Sequence, residues 1–390
     1  MNALLRAAIA LLVTPLSLQA VAAGTPASAP TMAASAPGIP DHCRAPGTDR
    51  AANHACALAL ARHAEAERSA GHNDAALAAL VRADQFSPQD LRFAMGHAAL
   101  SLKLANKLSP AGIEAAAKAA PDDVGLAMTH AELAVAKRDF AAALSDVDRV
   151  LAKRPDAPLA WEMRATVDVA KPDFAAARAD VEHALRLDPR SAVTLRLRAV
   201  LRNNSRDYAG ALADEQAARA LSPRPEDPFV IGSTQFLLRR FGDAAATLAT
   251  RTPAAPEGTY WRLWRYLALA RVQGVEPASG ALGPGTPPGA AVPWPGPVVD
   301  FLHGTLTAPV LLEIAKKAQD AHDQSQVCEA DFYIAEDMLL RQHGDASALF
   351  RQAVKECPPN FHEYEGAVAE LQAASPPAAS ASPASAALGH

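Results

Sequence analysis

The chain has 390 residues, 37 Lys and Arg against 42 Asp and Glu, and a formal net charge of -5; half of it is hydrophobic but only 5% is aromatic. The opposite charges are interleaved, with no block of five or more of one sign, which argues against a nucleic-acid or anionic-membrane partner. The apolar excess is carried by alanine, which suits close-packed helices, and the length fits two or three globular domains or one elongated repeat array.

In chain order, Met1, Asn2 and Arg6 form a positive start, and residues 7–18 an apolar run broken by Pro15, too short to span a bilayer comfortably. Val21-Ala22-Ala23 supplies the small residues a signal peptidase requires. The expectation is a signal peptide over 1–23 cut after Ala23, with a retained signal anchor as the alternative. Residues 24–41 form a Pro/Ala/Ser linker expected to be disordered. No cysteine closely follows the apolar run, so no lipoprotein anchor is expected, and the mature chain is placed in the periplasm or outside the cell with no stable membrane anchor.

Residues 42–256 carry an internal repeat. Pro121, Pro155, Pro189 and Pro223 stand 34 residues apart, and Pro88 precedes the first by 33. Each closes a segment of the same grammar: Trp161, Ala165, Phe174, Ala177, Ala184 and Pro189 in one, Ala131, Phe140, Ala143 and Pro155 before it, and Ala199, Tyr208, Ala211, Ala218 and Pro223 after it. Small residues let two antiparallel helices approach, the aromatic fills the gap between hairpins, and proline, lacking an N–H, ends the second helix. About six repeats fit, the sixth over 229–249.

Residues 257–372 read as degenerate hairpins. Residues 260–272, with Trp261 and Trp264, are expected to be an amphipathic helix. Residues 274–297 hold six glycines and seven prolines in 24 positions and are expected to be a loop. Helical patterns return at 298–304 and 310–321, then in a last hairpin over 327–357 and a capping helix over 361–372. The Ala/Ser/Pro tail, 373–390, is expected to be disordered.

The 34-residue pattern resembles the tetratricopeptide repeat (TPR) family. That resemblance implies an all-α fold, a right-handed TPR solenoid of about seven helical hairpins with a C-terminal capping helix, which binds a protein or peptide in a groove formed by the first helix of each hairpin. The family's inward positions fall on Met128, Glu132 and Val135, then Leu159, Glu162 and Thr166, then Val193, Arg196, Asn203 and Asn204. The paired Lys and Asn with which many cytosolic members grip a C-terminal carboxylate is replaced here by Met128 with Glu132, Glu162 with Thr166, and Arg196 with Val200.

Four cysteines form two sequence-local pairs, Cys43 with Cys56 and Cys328 with Cys357. In an oxidising compartment these predict two disulfides, each protecting one end of the array; four reduced, buried thiols are the alternative.

Enzyme motifs are missing from the sequence: there is no Walker A, GxSxG, GxGxxG, CxxC or CxxCH. His362-Glu363 opens an HExxH pattern, but Gly366 stands where the second ligand belongs. His63, His97 and His130 recur at nearly the repeat spacing, as a metal ladder or as packing residues. The expectation is a non-catalytic chain with no cofactor or metal. The stretch from Phe332-Tyr333 through Cys357-Pro358 to Ala369-Glu370-Leu371 resembles NlpI-type envelope TPR proteins, which implies an adaptor that links envelope enzymes or a protease to substrates. The alternative is a chaperone-like holder of unfolded exported proteins.

Overall fold

The computed structural model describes residues 39–171, 173–251, 254, 257–286, 292–318, 325–359 and 361–374. The leader at 1–23, most of the 24–41 linker and the tail from 375 lie outside the described residues.

The described chain is all-α, without a strand. The helices are α1 (Arg50–Ser69), α2 (Asn73–Phe86), α3 (Arg92–Leu104), α4 (Pro110–Ala119), α5 (Val124–Ala136), α6 (Phe140–Lys153), α7 (Pro158–Ala170), α8 (Phe174–Leu187), α9 (Ala192–Asn204), α10 (Tyr208–Leu221), α11 (Asp227–Leu237), α12 (Phe241–Leu248), α13 (Glu257–Gln273), α14 (Val275–Ala278), α15 (Gly296–Leu302), α16 (Ala308–Ala318), α17 (Ser325–Arg341), α18 (Ser347–Glu356) and α19 (His362–Ala374). The first twelve helices follow one another as six pairs across the region where six repeats are expected.

Local chemistry repeats with the period. Asp139, Asp173 and Asp207 precede the aromatic that opens each second helix, and their carboxylates accept from the N–H of Ala142 (3.0 Å), Ala176 (3.2 Å) and Gly210 (2.9 Å). That is the N-cap bond that satisfies one orphan donor of a helix start. At the other end, the residue before each proline leaves helical geometry: Ser87, Ala120, Arg154 and Asp188 have φ between -139° and -130°, and each donates its N–H to the carbonyl four residues back. The ring of the following proline disfavours the helical conformation at these residues, so the helix stops there.

The chain divides into two compact units, with the boundary passing through α9 and α10. In the first unit, residues up to 201 with 217–222, α1 pairs with α2, α5 with α6 and α7 with α8. Gly125 lets α5 approach α3, since a Cβ there would lie 2.2 Å from the carbonyl oxygen of Ala94. The second pair departs from the expected repeat. α4 is only ten residues long, buries Ala117 alone, and packs on α5 instead of closing on α3. Asp84 of α2 then reaches Arg154 at the end of α6 in a two-pronged ion pair of 2.7 Å.

The second unit, residues 202–216 and from 223 on, is built around α13 and α17. The expected amphipathic helix at 260–272 is instead enclosed: Tyr260, Trp261, Leu263, Trp264, Tyr266 and Leu267 are all buried, because α12, α15 and α17 cover it from several sides. The expected loop at 274–297 is also corrected in part. Val275–Ala278 and Ser279–Leu282 form helical turns whose Ala278 and Leu282 enter the core, and α15 begins at Gly296. Residues 287–291 of that segment lie outside the described residues.

Both expected disulfides are present. Cys43 joins Cys56 across 5.4 Å between Cα atoms, tying the turn at Asp41–Arg44 to α1, and Cys328 of α17 joins Cys357 after α18 across 5.2 Å.

Candidate interaction site

The family's inward positions fall on one stripe of successive first helices, 34 residues apart, and the structure sorts them by burial. Met128 and Val135 are fully buried in the hydrophobic cluster shared by α5, α6 and α7. Glu162 is also inside: one carboxylate oxygen accepts from Ser191 Oγ and from Thr194 Oγ1, both at 2.6 Å. Thr166 is buried and donates to the Glu162 carbonyl at 2.8 Å. Met128, Val135 and Glu162 therefore join neighbouring helices, Thr166 bonds within its own helix, and none of the four presents a surface to a ligand. The reason is geometric: a first helix contacts both its own second helix and the next first helix, so an i, i+4 stripe can face a neighbour as readily as a groove.

Asn203 is buried in the second unit, its amide donating to Glu215 Oε1 and Thr234 Oγ1 at 3.4 Å each. Glu132, Arg196 and Asn204 remain partly exposed. Arg196 donates to the carbonyl of Ser222 at 2.5 Å. Glu132 has no hydrogen-bonding partner among the described residues, and burial pushes its carboxyl up to about 7.

The three histidines at repeat spacing do not converge on a common point. His63 lies 3.7 Å from Glu67, and His130 meets Asp146. His97 lines a cavity of about 420 Å³ with Val81, Asp84, Ala94, Lys153 and Arg154, beside the start of α5. Among the described residues, the single cluster of three metal-ligand side chains is His42 with Cys43 and Cys56, whose thiols are joined in the disulfide.

Sequence reasoning missed a polar interior in the second unit. Glu329, Glu336, Glu363 and Glu370 are all buried on α17 and α19. Glu329 accepts from Tyr260 OH (2.8 Å) and Trp294 Nε1 (2.7 Å), and Arg271 serves both Glu336 (2.5 Å) and Glu370 (3.2 Å). Tyr333 OH donates to Glu363 at 3.0 Å. Burial raises Glu336 against the pull of Arg271. The one sequence signal was the density of acids at helical spacing in residues 329–336 and 363–370, which reads equally well as a solvated face.

No family model matches the sequence, and no curated protein matches it. Among solved structures, a tetratricopeptide repeat protein from Parabacteroides merdae is similar at 13% identity and a TM-score of 0.37, over 63% of this chain and 96% of that one. Pseudomonas aeruginosa pilF is similar at 14% identity and a TM-score of 0.37, over 52% and 91%. The TPR domain of P58(IPK) is similar at 14% identity and a TM-score of 0.26, over 83% and 92%.

Proposed function

We propose that this chain is a non-catalytic adaptor which holds a protein or peptide partner on the first helices of its N-terminal hairpins, with Glu132 and Arg196 at the contact. The observation that carries the reading is Glu132: a partly exposed carboxyl with no hydrogen-bonding partner among the described residues, on the stripe where such hairpins present side chains to ligands. A ligand that supplies an N–H donor there adds a hydrogen bond the free chain does not make and draws the raised carboxyl toward its ionised form. Met128, Glu162 and Thr166 support it from inside, while Asn203 and Asn204 belong to the second unit and are not part of this contact.

Two disulfides, one in each unit, support an oxidising compartment such as the periplasm or the exterior, in agreement with the leader expected at 1–23. Among the described residues no helix is long and apolar enough to cross a membrane. Linking envelope enzymes or a protease to substrates is the finer role, and it rests on the NlpI-type resemblance of the C-terminal third.

The test is capture of partners from an envelope fraction by wild-type chain and by the double charge reversal Glu132→Arg, Arg196→Glu, with helical content checked by circular dichroism. The adaptor reading expects a defined set of proteins held by wild type and lost by the variant. Equal capture by both, or none by either, contradicts it.

A further inference from the structure

Among the described residues, His42, Cys43 and Cys56 bring three metal-ligating atoms together: an imidazole nitrogen and two sulfurs, all within 4.8 Å of one another. Two elements place them there. Pro40 precedes a short helical turn over Asp41–Arg44, in which the Cys43 N–H donates to the Pro40 carbonyl at 2.9 Å, and the turn is tied to α1 at Cys56. The Cα atoms of the two cysteines are 5.4 Å apart. That spacing suits two thiolates on one ion as well as it suits a disulfide, because rotation about the Cα–Cβ bonds is enough to part the sulfurs.

The surroundings treat the three ligands differently. Both cysteines are buried, packed with Ala57, Leu60, Phe86 and Phe93, which keeps water from the sulfurs. His42 is exposed, and its ring has no hydrogen-bonding partner among the described residues, so it can turn onto an ion from the solvent side. Arg82 of α2 donates to the Cys43 carbonyl at 3.0 Å. That bond pins the turn and sets a positive charge beside it, and a nearby positive charge favours thiolates. His54, two residues before Cys56, does not join the set: its Nδ1 meets Ser87 Oγ at 3.2 Å and lies 3.9 Å from Asp90. The other pair, Cys328 with Cys357, has no third ligand beside it among the described residues.

We propose that Cys43, Cys56 and His42 form a redox-gated site for one copper(I) ion, closed while the disulfide stands and opened by its reduction. A dithiol reductant gives two electrons and two protons to the S–S bond, leaving two thiols on the chain and a disulfide on the reductant. Copper(I) then displaces both thiol protons and bonds to the two thiolates and the imidazole, so the loaded site carries one negative charge beside Arg82. Soft thiolates select copper(I) or zinc, and a set of three donors favours copper(I), because zinc in a structural site takes four. The bound ion keeps the Asp41–Arg44 turn fastened to α1 when the covalent tie is open. The inference does not rest on the adaptor reading.

In the test, the full chain is reduced, freed of reductant under nitrogen, and titrated with copper(I) against bicinchoninate, a coloured chelator that competes for the ion. The variant Cys328→Ser, Cys357→Ser keeps only the N-terminal pair and should take one equivalent. Adding His42→Ala to it should weaken that binding about tenfold or more. X-ray absorption of the loaded chain should show two sulfurs and one nitrogen on copper, with the nitrogen lost in His42→Ala. The unreduced chain should take no copper(I) at this site. His42 is exposed, so its replacement spares the fold; if the serine variant unfolds by circular dichroism, reduced wild type and His42→Ala give the same comparison through the nitrogen signal. Equal affinity with and without His42, no nitrogen on the metal, or equal uptake by the unreduced chain overturns the proposal.

Discussion

Asp146, Asp180 and Asp214 recur at the 34-residue interval, and each is buried and met by a base: His130, Arg164 and Arg202. Arg164 grips Asp180 through Nε (2.6 Å) and Nη2 (2.8 Å), and also reaches Asp148. Removing one partner of a buried pair leaves a charge that the interior cannot solvate, whereas removing both does not. Arg164→Met should therefore destabilise the first unit by about 3 kcal/mol in urea unfolding, and adding Asp180→Leu should recover most of that loss. A double variant as unstable as the single one would show that the loss lies in packing instead. Glu365 gives a pH dependence with a definite sign. Its carboxyl titrates at about 8 in the fold, above the value of an unfolded chain, so between about pH 5 and about pH 8 the folded state holds the extra proton. Stability should fall as pH rises through that window. Melting curves of Glu365→Gln should be flatter across it, and an identical slope would remove Glu365 as the cause.

At the scale of elements, the hairpins were legible because each is fixed by local chemistry. Proline at the exit of the second helix, aspartate at its entry and small residues on the facing sides all recur at one spacing, and the structure places helix ends where they fall. What the repeat did not disclose was how neighbouring elements pack. α4 carries the following proline, Pro121, yet leans on α5, because its side chains bury little beyond Ala117 and Asp84 already meets Arg154. Met128 and Glu162 read as groove residues from their register, but that register also faces the next helix. Residues 274–282 read as loop from their glycines, and Ala278 and Leu282 nonetheless dock into the core. The C-terminal elements depend on one covalent tie and one close approach. Gly366 lets α19 lie on α17, since a Cβ there would meet Phe332 at 2.7 Å. The Cys328–Cys357 bond closes the α17–α18 hairpin, 29 residues apart. In the chain-entropy account, replacing both cysteines with serine should cost about 3 to 4 kcal/mol, read as a lower melting temperature for the second unit alone. A loss shared equally by both units would contradict the local role.

At the scale of the whole molecule, repeat architecture explains why the fold was more legible than the site. Hairpin stacking is set by many weak, periodic preferences that reinforce one another. A binding face depends on which few polar side chains are left without partners, and that is decided by contacts between residues far apart in sequence, such as Tyr260 with Glu329 or Arg239 with Glu370. The central claim is that a partner protein is held on the first helices of the N-terminal hairpins. Hydrogen–deuterium exchange of the full chain, with and without a partner captured from the envelope fraction, tests it most directly. The account predicts slowed exchange in α5, α7 and α9 around Glu132 and Arg196 when the partner is bound. Protection confined to the 24–41 linker or the tail beyond 374, with those helices unchanged, would contradict it.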